Sequence, residues 1–195
     1  MAIIFLNGCT SAGKSSIARS LQALLQEPYL LSGIDDAFAS IPLRYHKHPE
    51  GFFFDRDEHG LVRLNFGAVG WATLRAHQAA AAAMARSGAN LILDQVVLNQ
   101  RLREDWQTAL ADLEVSYVGV HCSLAELERR EVARGDRVIG QARGQFERVH
   151  QDMRYDLEVD STHASPKVVA LRISEQLGLP SMQAKNSINQ TSERH

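Results

Sequence analysis

"GCTSAGKSS", residues 8–16, follows directly on the apolar run "AIIFLN", residues 2–7. It fits the pattern G-x-x-x-x-G-K-[ST], with Gly8, Gly13, Lys14 and Ser15 at the fixed positions. The apolar run reads as a buried strand, and "KSSIARSLQALLQ" places Ile17, Leu21, Leu24 and Leu25 at helical spacing. The loop therefore joins a strand to a helix, the setting that phosphate binding requires. Glycines let successive backbone N–H groups converge on phosphate oxygens, and the helix N-terminus adds the positive end of its dipole. Gly8, Cys9, Thr10, Ser11, Ala12, Gly13, Lys14, Ser15 and Ser16 are thus candidate nucleotide-binding residues. Among them, Lys14 would reach the β- and γ-phosphates of ATP, and Ser15 would hold Mg²⁺.

Beyond the loop the chain alternates short apolar runs with amphipathic stretches, the pattern of a parallel α/β sheet. Pro28 ends the first helix and "YLLSGID" reads as a second strand. "DAFASI" reads as a short helix stopped by Pro42. "GFFFDRDEHGLVRLN" has the form of a hairpin turning at "DEHG". "GAVGWATLRAHQAAAAAMARSG" is a long alanine-rich helix closed by Gly88. "ANLILDQVVL" is a buried strand, "RLREDWQTALADL" a helix and "VSYVGVHC" a strand. "SLAELERREVARG" is a helix with Ser123 and Glu126 at capping-box spacing. "QARGQFERVHQDM" is expected to be helical, "YDLEVDST" to be a last strand, and "SPKVVALRISEQLG" a last helix with Pro166 in its first turn. Residues 1–180 are expected to form a single domain. Residues 181–195, without periodicity or large apolar side chains, are expected to be a disordered tail.

With 45% apolar and 23% charged residues and a formal net charge of −2, the chain lacks the basic excess of a dedicated nucleic-acid binder. No apolar run approaches the roughly 18 residues of a membrane span. "MAIIFL" is too short for a signal-peptide core and has no basic flank. Cys9 and Cys122 have neither metal-ligand spacing nor a secretory setting, so a cytoplasmic location is expected by default.

Parallel sheets carry their functional side chains at the C-terminal ends of the strands. Asp94 follows "NLIL" there and is a candidate metal-orienting acid, with a plain cap as the alternative. Asp35 follows "LLSGI" and is the candidate base for an incoming hydroxyl, with water-mediated metal binding as its alternative. Asp36 suits capping of the next helix. "ERREVARGDRVIGQAR" supplies Arg130, Arg134 and Arg137 at spacings that fit one helical face, with Gly135 and Gly140 allowing a lid, residues 134–145, to bend. Arg134 and Arg137 are candidates for the transferring phosphoryl group and Arg130 for the nucleotide. The opposing reading is a solvated helix face paired with Glu126, Glu128 and Glu131, and Arg129 is assigned to it.

Residues 44–66 form an acceptor-side insert of mixed character. His46, His48 and His59 lie in it without an accompanying ligand pattern and read as surface histidines. Phe52, Phe53, Phe54 and Trp71 could wall an apolar substrate pocket or simply pack in the core.

"IFLNGCTSAGKSSIARSLQ", "GIDDAFASIP", "ANLILDQVVL" and "VARGDRVIGQA", with "YDLEVDST" beyond it, together resemble the chloramphenicol phosphotransferases. These are small P-loop kinases that phosphorylate the primary hydroxyl of the antibiotic with ATP. The resemblance runs from about residue 3 to the last helix. It implies a mainly parallel five-stranded sheet flanked by helices on both faces, a loop that binds ATP, Asp35 as base, and Arg134 and Arg137 on the moving phosphate. Two departures stand out. A second acid usually follows the strand-end aspartate in that family, whereas here Gln95 follows Asp94, and residues 44–65 match poorly. The expected function is ATP- and Mg²⁺-dependent phosphorylation of a small-molecule hydroxyl, with chloramphenicol as leading acceptor. One rival is a kinase of another alcohol, such as a sugar, nucleoside or shikimate-like compound. The other is a non-catalytic nucleotide-binding regulatory module.

Overall fold

The computed structural model describes residues 1–135 and 137–182, so Asp136 and the part of the expected tail from 183 to 195 lie outside the described residues. The first strand, β1 (Ile3–Asn7), is buried along its whole length. It sits at the centre of a five-stranded sheet in which every pairing is parallel. β2 (Tyr29–Gly33) pairs with β5 (Asn90–Gln95), β5 with β1, β1 with β6 (Val115–His121), and β6 with β7 (Leu157–Asp160). Parallel neighbours need crossover connections, and helices supply them. Central strands are therefore covered on both faces and read as unbroken apolar runs. Ile3 to Leu6 and Leu91 to Leu93 are almost wholly removed from water.

Helix α1 (Lys14–Leu24) packs on α7 (Pro166–Gln176), and α2 (Ile34–Ser40) and α4 (Gln100–Ala109) pack on α3 (Ala68–Arg86). Phe5 joins the sheet to α4, its ring meeting Trp106 edge-on at 5.3 Å and Tyr117 at 5.2 Å. Of the alanines of α3, Ala81, Ala82 and Ala85 are buried and serve packing, while the others face water. The expected hairpin forms as β3 (Phe52–Arg56) and β4 (Val62–Phe66), with Asp57 building its turn: Asp57 Oδ1 accepts from the N–H groups of His59 and Leu61. Among the described residues no helix is long and apolar enough to cross a membrane.

Four local expectations are corrected. The second strand stops at Gly33, two residues early, because Ile34 already begins α2; Asp35 and Asp36 both lie in a helical first turn. Helix α5 (Leu124–Arg134) ends at Gly135, whose φ of 69° leaves the helical region, so Arg137 shares no helical face with Arg130. Helix α6 (Gln141–Phe146) is half the expected length. Beyond it the Val149 carbonyl turns to accept from Asn7 Nδ2 at 2.7 Å, and the chain continues as turns. Ser123 occupies the N-cap position of α5, but no capping box forms. Its N–H donates to Thr162 Oγ1, while the Glu126 carboxylate is held by Arg129 and Arg130.

Candidate active site

The loop between β1 and α1 is shaped from behind. A side chain at Gly8 would run into the Val120 carbonyl, so the backbone can cross β6 there only as glycine. Asn7, at the end of β1, is fully buried and clamps three segments: Oδ1 accepts from Val97 N–H, and Nδ2 donates to the Val149 carbonyl and to the Tyr155 hydroxyl. Ser161 Oγ donates to the Ala12 carbonyl at 2.8 Å. With Ser11 at φ 61° and Gly13 at φ 84°, left-handed residues interrupt the loop and turn its N–H groups into a concave nest.

A cleft of about 280 Å³ opens over this nest at the C-terminal ends of β1, β2 and β5. It is lined by Thr10, Ser11, Gly13, Lys14, Ser15 and Ser16 of the loop, and by Asp35, Asp94, Arg134 and Arg137. Eight of the candidate site residues outside Gly8, Cys9, Ala12 and Arg130 could thus be located by motif or strand-end position, and Arg134 and Arg137 join them. Gly8, Cys9 and Ala12 stand behind the lining. Arg130 lines a neighbouring groove with Gly13, Ser16, Thr162 and His163. Its Nε donates to Glu126 and its NH2 to the Ser161 and Thr162 carbonyls.

Lys14 is only 6% exposed, yet its ammonium is well provided for: Nζ donates to the Cys9 carbonyl at 3.0 Å and lies 3.7 Å from Asp94 Oδ1. Ser15 Oγ donates to Asp94 Oδ2 at 2.5 Å. A serine hydroxyl beside a carboxylate is a hard oxygen pair, which fits Mg²⁺ bound mainly through phosphate oxygens and water. No group of three or more histidine, cysteine or acidic side chains suited to a metal occurs among the described residues, and His46, His48 and His59 do not form one. The phosphate fit rests on a further atom. Ser11 Oγ, in the cleft wall, is buried without a protein partner, as a donor awaiting an anion would be. Burial pushes the Cys9 thiol up to about 12 despite nearby Lys14, so it is no nucleophile.

Asp35 and Asp36 divide their work although both line the cleft. Asp36 Oδ2 accepts from the Gly33 N–H at 2.7 Å, capping α2 as expected. Asp35 Oδ2 instead accepts from Arg137 NH2 at 2.9 Å, and both residues line the cleft with the loop. Arg129 behaves as the solvated reading has it, forked onto Glu126, whose carboxyl is drawn down to about 2 by Arg129 and then Arg130.

The apolar wall differs from the expected one. Phe38, Leu64, Ile34 and Val96 line the cleft. Phe52, Phe66 and Trp71 stack behind it, with Phe38–Phe52 at 4.3 Å, Phe52–Phe66 at 5.7 Å and Phe66–Trp71 at 5.1 Å, and Arg101 lies 3.9 Å over Trp71. Gln141 and Gln145, four residues apart on α6, also line the cleft, and sequence reasoning missed both. Their signal was no more than two glutamines one helical turn apart after the arginine segment.

A parallel sheet, a phosphate-cradling loop and a carboxylate facing that loop define a P-loop phosphotransferase with an alcohol acceptor. The chain belongs to the chloramphenicol phosphotransferase-like proteins, whose family model matches residues 1–178. It is 32% identical over 181 residues to the Mycobacterium tuberculosis protein Rv2636, provisionally named an O-phosphotransferase, covering 89% of this chain and 80% of that one. Two solved structures share the fold. The M. tuberculosis APS kinase CysC, in complex with AMPPNP and APS, superposes with a TM-score of 0.61 at 15% identity, covering 91% of this chain and 97% of that one. Shikimate kinase from Acinetobacter baumannii, in complex with shikimate, gives 0.58 at 13%, covering 90% and 92%.

Proposed function

We propose that the protein transfers the γ-phosphoryl group of ATP to a hydroxyl of a small molecule, with chloramphenicol or a related amphenicol as the leading acceptor. The observation that carries this reading is that the phosphate loop and Asp35 line one and the same cleft. The triphosphate lies on the loop with Lys14 at its β- and γ-oxygens. Arg130 and the groove beside it take the nucleoside end. Ser15 and Asp94 would hold Mg²⁺, which supplies neutralisation of the β- and γ-oxygens. Residues 134–145 form the lid segment, bending at Gly135 and Gly140 ahead of the firmly held α6, within a single domain spanning 1–180, and the 44–66 insert backs the acceptor side.

Asp35 accepts the proton of the acceptor hydroxyl as the oxygen forms its bond to the γ-phosphorus in line. The bond from that phosphorus to the bridging oxygen breaks, and ADP leaves with the electron pair. Arg134 and Arg137 stabilise the charge spread over the moving group. Arg137 is paired with Asp35 before substrates enter, so its turn toward phosphate would also release the base. Phe38 and Leu64 favour an acceptor with an apolar or aromatic portion.

ATP consumption measured against chloramphenicol and a panel of sugars, nucleosides and shikimate-like alcohols tests this directly. Stimulation by chloramphenicol, lost in Lys14→Ala while the variant stays folded, is the expected result. Stimulation by another alcohol alone would replace the acceptor and keep the reaction. Nucleotide binding with no turnover on any acceptor would favour a regulatory module.

A further inference from the structure

We propose that Gln145 is a phosphoryl-contacting residue, its amide fixed by the loop so that its N–H₂ group faces the γ-phosphate. This rests on the nucleotide reading above and extends it to a residue outside the loop and the arginine segment. Gln145 is 3% exposed, and Oε1 accepts from the Thr10 N–H at 2.8 Å in a buried bond. A backbone N–H can be accepted only by the oxygen of a side-chain amide, so this bond decides which end of the group points where. Nε2 must then face away from Thr10. It makes no hydrogen bond within the described residues, and it is not among the side-chain polar atoms sealed from solvent without a partner, as Ser11 Oγ and Gln78 Nε2 are. The opening it faces is the cleft that Gln145 lines together with Lys14, Asp35 and Arg137.

Position within the cleft decides which phosphate is met. Gln145 is tied to Thr10, early in the loop, and takes no part in the groove beside Arg130, Thr162 and His163. The early loop N–H groups, with Lys14, are the ones that would meet the γ-phosphate, so Gln145 stands beside the group in transit. Its backbone is fixed independently. Glu131, 2% exposed on α5, accepts from the N–H groups of Gly140 and Ala142 at 2.7 Å each, and so holds the start of α6. Arg63 NH1 donates to the Gly144 carbonyl at 2.6 Å, and a side chain at Gly144 would strike the Val62 carbonyl, so α6 is pressed against the hairpin. A donor held this firmly loses little entropy on meeting an anion.

The test compares a nucleotide that has a third phosphate with one that lacks it. Gln145→Glu keeps an oxygen for the Thr10 N–H but turns the cleft-facing donor into a carboxylate. Titration calorimetry with AMPPNP should show affinity weakened about tenfold or more, with ADP affinity and melting temperature close to wild type. Gln145→Met, similar in size but without a donor, should show the same AMPPNP-selective loss at several-fold, and it answers the question if the glutamate variant does not fold. Unchanged AMPPNP affinity, or equal weakening of AMPPNP and ADP, would overturn the proposal and leave Gln145 as a brace for the loop. Wild-type protein that binds neither nucleotide would instead defeat the reading of the site on which the proposal rests.

Discussion

At the scale of single residues, the two neighbouring aspartates are held by different partners. Asp36 is occupied with the Gly33 N–H, whereas Asp35 accepts from Arg137 NH2. Asp35→Asn retains an oxygen for Arg137 but cannot take a proton from an alcohol. In single-turnover phosphorylation with the acceptor found by screening, it should lower the rate by about 10²-fold or more, with ATP affinity kept within a few-fold. A mutant as fast as wild type would remove Asp35 from the role of base. That Asp36 would cap α2 was legible before the structure, although the reason for its difference from Asp35 was not. Sequence reasoning set the two side chains apart by strand alternation, whereas they belong to the first turn of α2, and a capping bond separates them. Ser15 and Asp94 were readable because a fixed loop pattern and a strand end locate them. Gln145 was not, since its partner Thr10 is 135 residues away in sequence.

At the scale of elements, α5 and α6 show how local charge pattern misleads. Glu131 lies among arginines at helical spacing, and the default reading is a solvated pair. In the structure Glu126 and Glu128 do pair with arginines, while Glu131 turns inward to cap α6. A nonlocal demand wins because the first N–H groups of a helix need acceptors and α6 has no side-chain cap of its own. Glu131→Ala would strand two N–H groups, one of them buried. We expect a loss of about 2–3 kcal/mol in urea unfolding, with a smaller loss in Glu131→Gln, which retains one acceptor oxygen. A midpoint equal to wild type in Glu131→Ala would return this carboxylate to the ordinary surface pairs. The hairpin, by contrast, was legible throughout, because aromatic and branched residues flanking a polar, glycine-ended turn encode it within fifteen residues.

At the scale of the whole molecule, the continuous apolar runs identified a parallel sheet, but the placement of β5 between β1 and β2 is a tertiary choice that no single run encodes. The same holds for the cluster that binds β1, β6 and the segment before β7. His121 and His150 stack at 4.0 Å, and His121 Nε2 meets Glu158 Oε2 at 2.7 Å. Asn7 Nδ2 donates to the Tyr155 hydroxyl, which leaves that hydroxyl to donate to His150 Nδ1 at 2.7 Å. His150 is therefore needed as an acceptor. Burial pushes its pKa down from 6.5 to about 4, with His121 adding to the effect, Glu158 opposing it and Lys14 contributing least. The folded state resists a proton that the unfolded chain accepts near pH 6.5, so stability is fully present above that value and declines as pH falls toward 4. His77 is shifted in the same direction by its own burial, with Asp36 opposing. Denaturation midpoints should accordingly fall between pH 7.5 and about pH 5. His150→Gln should lower stability at pH 7.5 yet flatten this slope, leaving the part that belongs to His77. A slope identical to wild type would mean that His150 titrates alike in the folded and unfolded chain, and that the Asn7–Tyr155–His150 network does not hold it neutral.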